Sequence, residues 1–167
     1  LASNGGTTNV PINVSTGSMS RPRTFDSTDV PKAIPDNTPA GVTSVVNAVG
    51  GGRISSVDVT IGSITHTFDS DLQIELTSPD GTTVRLFDRN GSSGDNLTNT
   101  VFSDSASVAI SAGAAPFTGS FIPAQPLSAF KGQHAGGTWT LTVRDLAGAD
   151  TGTLNNWGLS ISRITCN

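Results

Sequence analysis

The chain has no tyrosine, one cysteine, one methionine and one glutamate. Each scarcity excludes something. One cysteine, Cys166, cannot close an internal disulfide or build a cysteine-rich zinc site. Nothing near it in sequence lowers its pKa, so a structural or incidental role is expected rather than a catalytic one. A single glutamate, Glu75, means a paired-carboxylate glycosidase would have to rely on aspartates, and no pair of these brackets a cleft in sequence. Without tyrosine, and with both tryptophans on apolar strand faces, a sugar-binding aromatic platform is disfavoured. Charged residues make up only 13% of the chain and the net charge is −4, so no basic stripe invites nucleic acid or an anionic membrane. The basic residues (Arg21, Arg23, Lys32, Arg53, Arg85, Arg89, Lys131, Arg144, Arg163) are scattered, and each reads as a solvated surface charge. No apolar run is long enough to span a membrane, and no signal peptide is evident. The first residue is Leu1, which suggests a piece of a longer precursor. Asn13, Asn90 and Asn96 fit the glycosylation sequon, a weak pattern in a chain rich in serine and threonine.

What is abundant is alternation. Trp139, Leu141 and Val143 alternate with Thr138, Thr140, Thr142 and Arg144; Trp157, Leu159 and Ile161 repeat the pattern after a turn at 147–152. Side chains of a strand point to opposite faces in turn, so the pattern predicts two antiparallel strands, each placing a tryptophan in one core. Val57, Val59 and Ile61 alternate within 53–64, after the Gly50-Gly51-Gly52 turn. Leu72-Gln73-Ile74-Glu75-Leu76-Thr77 alternates cleanly and leads into Ser78-Pro79-Asp80-Gly81, a type I turn signal that predicts a hairpin with 82–87. A possible strand lies at 42–49, a short one at 100–103, and a helical turn is expected at 127–130. Prolines 31 and 35 make 25–38 extended edge and loop. Residues 1–23 read as a linker, with an edge strand possible at 10–14, and the domain proper as 24–167.

No segment keeps a helical period over ten residues. The fold class is therefore all-β: a jelly-roll-type β-sandwich of two antiparallel sheets. Each inward Trp, Leu, Ile or Phe covered contributes roughly 1.5–3 kcal/mol.

The motifs carry a resemblance. Gly-Thr-Trp-x-Leu-x-Val-x-Asp at 137–145, then Gly-x-Leu-x-x-Trp-x-Leu-x-Ile at 152–161, resemble the end of the P domain of proprotein convertases. His66-Thr67-x-x-x-Asp71-Leu72-x-Ile74-x-Leu76-x-Ser78-Pro79-x-Gly81-Thr82 is similar to its central hairpin. Phe102-Ser103-Asp104 and the connection Phe121 to Gly132 resemble bacterial members, and the likeness runs from about Thr24 to Ile164. It implies a β-sandwich that follows the catalytic domain of a secreted, subtilisin-like serine peptidase or a metallopeptidase. Such a domain packs on its catalytic domain in cis, supports its folding, and tunes its calcium and pH response. Substrate protein is a further possible partner. Phe117, Phe121 and Phe130 are candidates for an exposed contact patch, although each singly reads first as ordinary core.

For catalysis there is no Gly-x-Ser-x-Gly elbow and no His-Glu-x-x-His helix. His66 and His134 are the histidines; His66 reads as a hydrogen-bonded side chain that fixes the loop before Leu72. For calcium, which takes six to eight oxygens, the candidates are Asp69, Asp71, Asp95 and Asp104, with Asp145 and Asp150 as another pair. Turn capping is the alternative for each. The expected function is a non-catalytic accessory domain; a free-standing extracellular module that binds protein or carbohydrate is the alternative.

Overall fold

The computed structural model describes residues 18–165. The expected edge strand at 10–14, the sequon at Asn13 and Cys166 lie outside the described residues. Eleven strands and three short 3-10 turns make up the rest, with no α-helix among the described residues. One sheet contains β1 (Ser18–Met19), β2 (Arg23–Asp26), β3 (Lys32–Ile34), β5 (Arg53–His66), β8 (Leu97–Phe102), β9 (Phe117–Phe121) and β11 (Gly152–Thr165). The other contains β4 (Thr38–Ala48), β6 (Leu72–Thr77), β7 (Thr83–Asp88) and β10 (Gly137–Asp145), in the order β4-β10-β6-β7. The chain is an all-β two-sheet sandwich. One pairing departs from an antiparallel plan: β9 runs parallel to β8.

The alternation that marks β10 and β11 places their side chains as expected. Trp139, Leu141, Val143 and Ile161 are fully buried, and Trp157 and Leu159 nearly so. The two strands are not partners of each other, however. β10 lies between β4 and β6, while β11 pairs with β5, so the connection at 146–151 arches between sheets. A two-residue period reports which side of a strand is buried; it does not say which neighbour completes the ladder. The hairpin of β6 and β7 forms as expected: Gly81 N–H donates to the Ser78 carbonyl at 2.9 Å, and Gly81 takes φ +87°, a conformation open to glycine.

Aromatic side chains fill the space between the sheets. Phe130, on the 3-10 turn Leu127–Phe130, meets Trp139 edge-on at 5.0 Å. Phe117 stands edge-on to both Phe87 and Phe121, at 5.1 and 5.9 Å. Phe117, Phe121 and Phe130 are thus core residues, as expected of each singly, and the exposed contact patch considered for them is absent; all three are buried. Their spacing is irregular because they sit on separate short elements, and only the closed core shows which way they point.

The outer edge of β4 is covered by side chains. Lys32 Nζ donates to the Thr43 carbonyl and to Asp29 Oδ2, each at 2.7 Å, while the Asp29 carboxylate accepts from Val45 N–H. The pair occupies ladder positions that a foreign strand could otherwise take. Asp29 also accepts from the Ser44 hydroxyl, which in turn accepts from Trp157 Nε1 at 2.7 Å. Burial raises the Asp29 pKa, but the hydrogen bonds from Lys32, Ser44 and Val45 outweigh it and hold the group below its ordinary value.

Candidate functional site

Three strand ends meet at one end of the sandwich. β5 finishes at His66, β10 finishes at Asp145, and a 3-10 turn at Asp69–Asp71 feeds β6. Polar residues collect there because strands must end where their ladders stop, and the freed N–H and C=O groups need partners. The loop 89–96 supplies many of them. Asp69 N–H donates to the Gly94 carbonyl at 2.8 Å and Ser70 N–H to the Ser92 carbonyl at 3.2 Å. In return Asn96 N–H donates to Asp69 Oδ1 at 3.0 Å, and His66 N–H donates to Asn96 Oδ1 at 3.1 Å. Arg89, Ser92 and Asn96 take positive φ, as does Gly91. A loop with this many left-handed residues is held by specific bonds rather than by propensity.

His66 is the centre of the end. Its Nε2 lies 3.1 Å from Asp145 Oδ2, and neither side chain is exposed. A ring with its proton on Nε2 donates to Asp145 and accepts Phe68 N–H at Nδ1, 3.2 Å away. A doubly protonated ring instead donates from Nδ1 to the Phe68 carbonyl at 3.0 Å. Asp145 Oδ1 accepts from Ala147 N–H. Both nitrogens of the imidazole are thus used internally, and the ring fixes the loop before Leu72. A general base must reach a substrate proton or a nucleophile. Here the histidine–carboxylate pair is enclosed, with the backbone of Phe68 on its other side.

Two neighbouring carboxyls are perturbed. Burial pushes the Asp69 pKa up to about 7, helped by Asp95 and opposed by the Asn96 N–H and by His66. Asp69 Oδ2 is enclosed and has no hydrogen-bond partner. Burial also raises the Asp71 pKa, with Asp145 and Asp150 adding repulsion and His66 and Arg89 opposing it. Asp150 accepts from the Thr67 hydroxyl at 2.7 Å.

Of the four calcium candidates, Asp69, Asp71 and Asp95 are carried to this end, with Asp145 and Asp150. Asp104 is not. It sits beyond the far end of β8, roughly 20 Å from Asp95 by strand rise, and both of its oxygens are committed. They accept Leu127 N–H and Ser128 N–H at 2.8 and 2.7 Å, which caps the 3-10 turn. Among the described residues, no group of three or more His, Cys, Asp or Glu side chains could hold a metal ion. His134 is mostly exposed, 3.5 Å from Asp80.

Glu75 lies on the outer face of β6, clamped by two guanidiniums. Arg144 Nη1 donates to Oε2 at 2.6 Å, and Arg85 donates to Oε1 through Nε and Nη2 at 3.2 and 3.1 Å. Partial burial works to raise the Glu75 pKa, but the bonds from Arg144 and Arg85 dominate and lower it.

A feature that the sequence reading missed lies at the opposite end. Arg23 and Arg163 both stand 5.5 Å from the Phe25 ring centroid. Arg163 is not a solvated surface charge: it is 5% exposed, with Nη2 donating to the Val49 carbonyl at 2.9 Å and Nε enclosed without a partner. The i,i+2 spacing of Arg23 and Phe25 places them on one face of β2, but their juxtaposition with Arg163 depends on a long-range pairing.

Known proteins share this architecture. The sequence is 30% identical over 129 residues to leupeptin-inactivating enzyme 1 of Streptomyces exfoliatus, covering 76% of this chain and 24% of that protein. It is equally similar, 30% over 129 residues, to the transglutaminase-activating metalloprotease of Streptomyces mobaraensis, covering 77% of this chain and 14% of that protein. The chain thus spans a quarter or less of each of these relatives. The fold resembles that of a serine protease of Aeromonas sobria solved in complex with a chaperone, with TM-score 0.58 and 19% identity over 90% of this chain and 28% of the other. The same protease solved alone gives TM-score 0.56 at 18% identity, over 94% of this chain and 28% of that one. Residues 54–161 match the model of the proprotein convertase P-domain, which covers β5 through most of β11. The chain therefore belongs to the proprotein convertase P-domain family.

Proposed function

We propose that this P domain is the non-catalytic C-terminal accessory domain of a secreted peptidase and supports the folding and stability of the catalytic domain in cis. The observation that carries the reading is the family match over β5 to β11, joined to two enzyme relatives, one of them named a metalloprotease, whose chains extend far beyond this domain. The internal chemistry agrees with a supporting role. The one buried histidine–carboxylate pair is spent on holding loops, as described above. No helix of the described residues is long and apolar enough to cross a membrane.

The catalytic partner in this proposal is a subtilisin-like serine peptidase, with a metallopeptidase as the alternative. One relative is named a metalloprotease, and the fold resembles a part of a serine protease. Inhibition of the full-length enzyme by a serine-directed sulfonyl fluoride supports the first, and inhibition by a zinc chelator alone supports the second. Deleting the domain is expected to lower the yield and melting temperature of the peptidase. Unchanged yield and melting temperature contradict the accessory role.

Calcium belongs to the proposal as a ligand of the acidic end. The support is limited to Asp69, with its enclosed and unpartnered Oδ2, and to Asp71 and Asp95 nearby. An ion there needs six to eight oxygens, so loop carbonyls or water must supply most of its shell.

A further inference from the structure

One ladder of the larger sheet is interrupted. β5 pairs with β8 from Ile64 back to Val59, which lies opposite Phe102. There the chain turns away from β5: the Ser105 N–H donates to Ser103 Oγ at 3.3 Å, and the Ala106 N–H to the Ser103 carbonyl at 3.2 Å. The edge of β5 is met again at Ile54. Its N–H donates to the Gln133 carbonyl at 3.0 Å, and its carbonyl accepts the Gly132 N–H at 2.9 Å. Between these points residues 55–58 have no ladder partner on that side among the described residues. Every strand residue carries a backbone donor and acceptor, so such a gap is filled by water or by a ligand.

A cavity of about 360 Å³ occupies the gap. Val57 and Leu127 line it with apolar surface, and Ser56, Asp58, Ser128 and Lys131 supply polar groups. Its mouth is held in shape. Asp104 accepts the N–H groups of Leu127 and Ser128, and Ser103 Oγ bonds to Ser105 Oγ at 2.9 Å. Asp58 and Lys131 are of opposite sign and line the same space, yet they do not pair with each other. Neither side chain has an ion pair or hydrogen bond among the described residues. By register their backbones stand at opposite ends of the gap: Asp58 adjoins the Val59–Phe102 pair, and Lys131 precedes the Gly132 that bonds Ile54.

We propose that this cavity binds a short peptide of two or three residues with free termini, laid beside β5 in the line that β8 abandons. The charges set its direction. Its ammonium lies at Asp58 and its carboxylate at Lys131, so it runs antiparallel to β5, as β8 does. Residues 54–58 cover roughly 13 Å of strand. Two or three extended residues span at most about 7–11 Å, which leaves room for both charged side chains to reach the termini. Main-chain bonds to the strand edge hold the peptide, and charge-assisted bonds at the two ends select its length. A small apolar side chain fits against Val57 and Leu127. This goes beyond the accessory role proposed above, and either can fail without the other.

The test is a titration of the chain with the tripeptide Ala-Val-Ala, followed by amide chemical shifts. The same peptide is compared when acetylated at its N-terminus, amidated at its C-terminus, or blocked at both ends. The free peptide is expected to saturate shifts at residues 55–58 with a Kd of about 1 mM or tighter, and the doubly blocked one to bind at least tenfold more weakly. Asp58→Asn is expected to weaken the free peptide at least fivefold and to leave the acetylated one unchanged. Lys131→Met is expected to weaken the free peptide as much and to leave the amidated one unchanged. Neither side chain has a partner to lose, and dispersed amide spectra check that each variant folds. No saturable shift at residues 55–58, or equal binding of the free and doubly blocked peptides, overturns the proposal. Free valine binding as tightly as the tripeptide overturns it too, in favour of a single amino acid.

Discussion

His66 closes the sandwich onto Asp145. The histidine ends β5 in one sheet, the aspartate ends β10 in the other, and Nε2 meets Oδ2 at 3.1 Å with neither side chain exposed. Removing one partner of a buried pair leaves the other without compensation. Asp145→Ala is expected to cost about 3 kcal/mol, a fall in melting temperature of roughly 6–12 °C for a domain of this size. His66→Gln, which keeps a donor, is expected to cost less. Thermal melts of both variants check the order; equal, small shifts show that the tie contributes little.

Asp69 gives stability a pH dependence. Its pKa is near 7 in the folded chain and near 3.8 when unfolded. Between those values the folded chain keeps a proton that the unfolded chain has released, so rising pH favours unfolding. The contribution is complete below about pH 4 and gone above about pH 7. Asp71, also raised, acts in the same direction. Asp69→Asn keeps the oxygen that accepts Asn96 N–H and cannot ionise. It is expected to raise stability at pH 8 by about 2–4 kcal/mol, and to change it little at pH 4. Urea titrations in EDTA at the two pH values check this; a destabilised variant at pH 8 contradicts it.

Calcium, if it occupies the acidic end, acts on the same carboxylate. Saturation at 100 times Kd stabilises a folded chain by about 2.7 kcal/mol. Added calcium is expected to raise the native melting temperature over that in EDTA, and to do so less in Asp69→Asn and Asp95→Asn. Identical midpoints remove calcium from the proposal.

The two tryptophans respond differently to loss of the indole N–H. Trp157 Nε1 donates to Ser44, whereas Trp139 Nε1 is enclosed without a partner. Both rings are buried, so Trp→Phe removes similar volume at each. Trp157→Phe also removes the bond that Ser44 accepts, at about 0.5–1.5 kcal/mol, while Ser44 keeps its bond to Asp29. It is expected to destabilise more than Trp139→Phe, by about 1 kcal/mol. The reverse order in denaturant melts contradicts the assigned bond.

Glu75 tests the outer face. Glu75→Gln weakens bonds to Arg85 and Arg144, a half-buried network for which about 1 kcal/mol is expected. Because the folded pKa is lowered, that contribution is present above the unfolded pKa and disappears as pH falls through the folded value. A difference from the native protein that persists unchanged in acid contradicts it.

Much of this molecule was legible from period and turn chemistry. The burial of Leu72, Ile74 and Leu76 followed from alternation, the β6–β7 turn from Pro79 and Gly81, and the 3-10 turn from the spacing of Leu127 and Phe130. What stayed hidden depends on which strand lies beside which. The separation of β10 from β11, the parallel seat of β9 and the burial of Arg163 have no local signature. The acidic end was visible in part. Asp69 and Asp71 are neighbours in sequence, and the fold brings Asp95 beside Asp69, whereas Asp104, nine residues after Asp95, is carried off by β8. The His66–Asp145 tie joins residues 79 apart and needed the fold.

The central claim is that this domain performs no reaction and holds up a neighbour. The most direct measurement is calorimetry of the full-length peptidase beside the same enzyme truncated before residue 1. The expected result is a lower melting temperature and a shorter active half-life for the truncated enzyme, with no casein turnover by residues 1–167 alone. Matching melting temperatures and half-lives, or turnover by the domain itself, would contradict it.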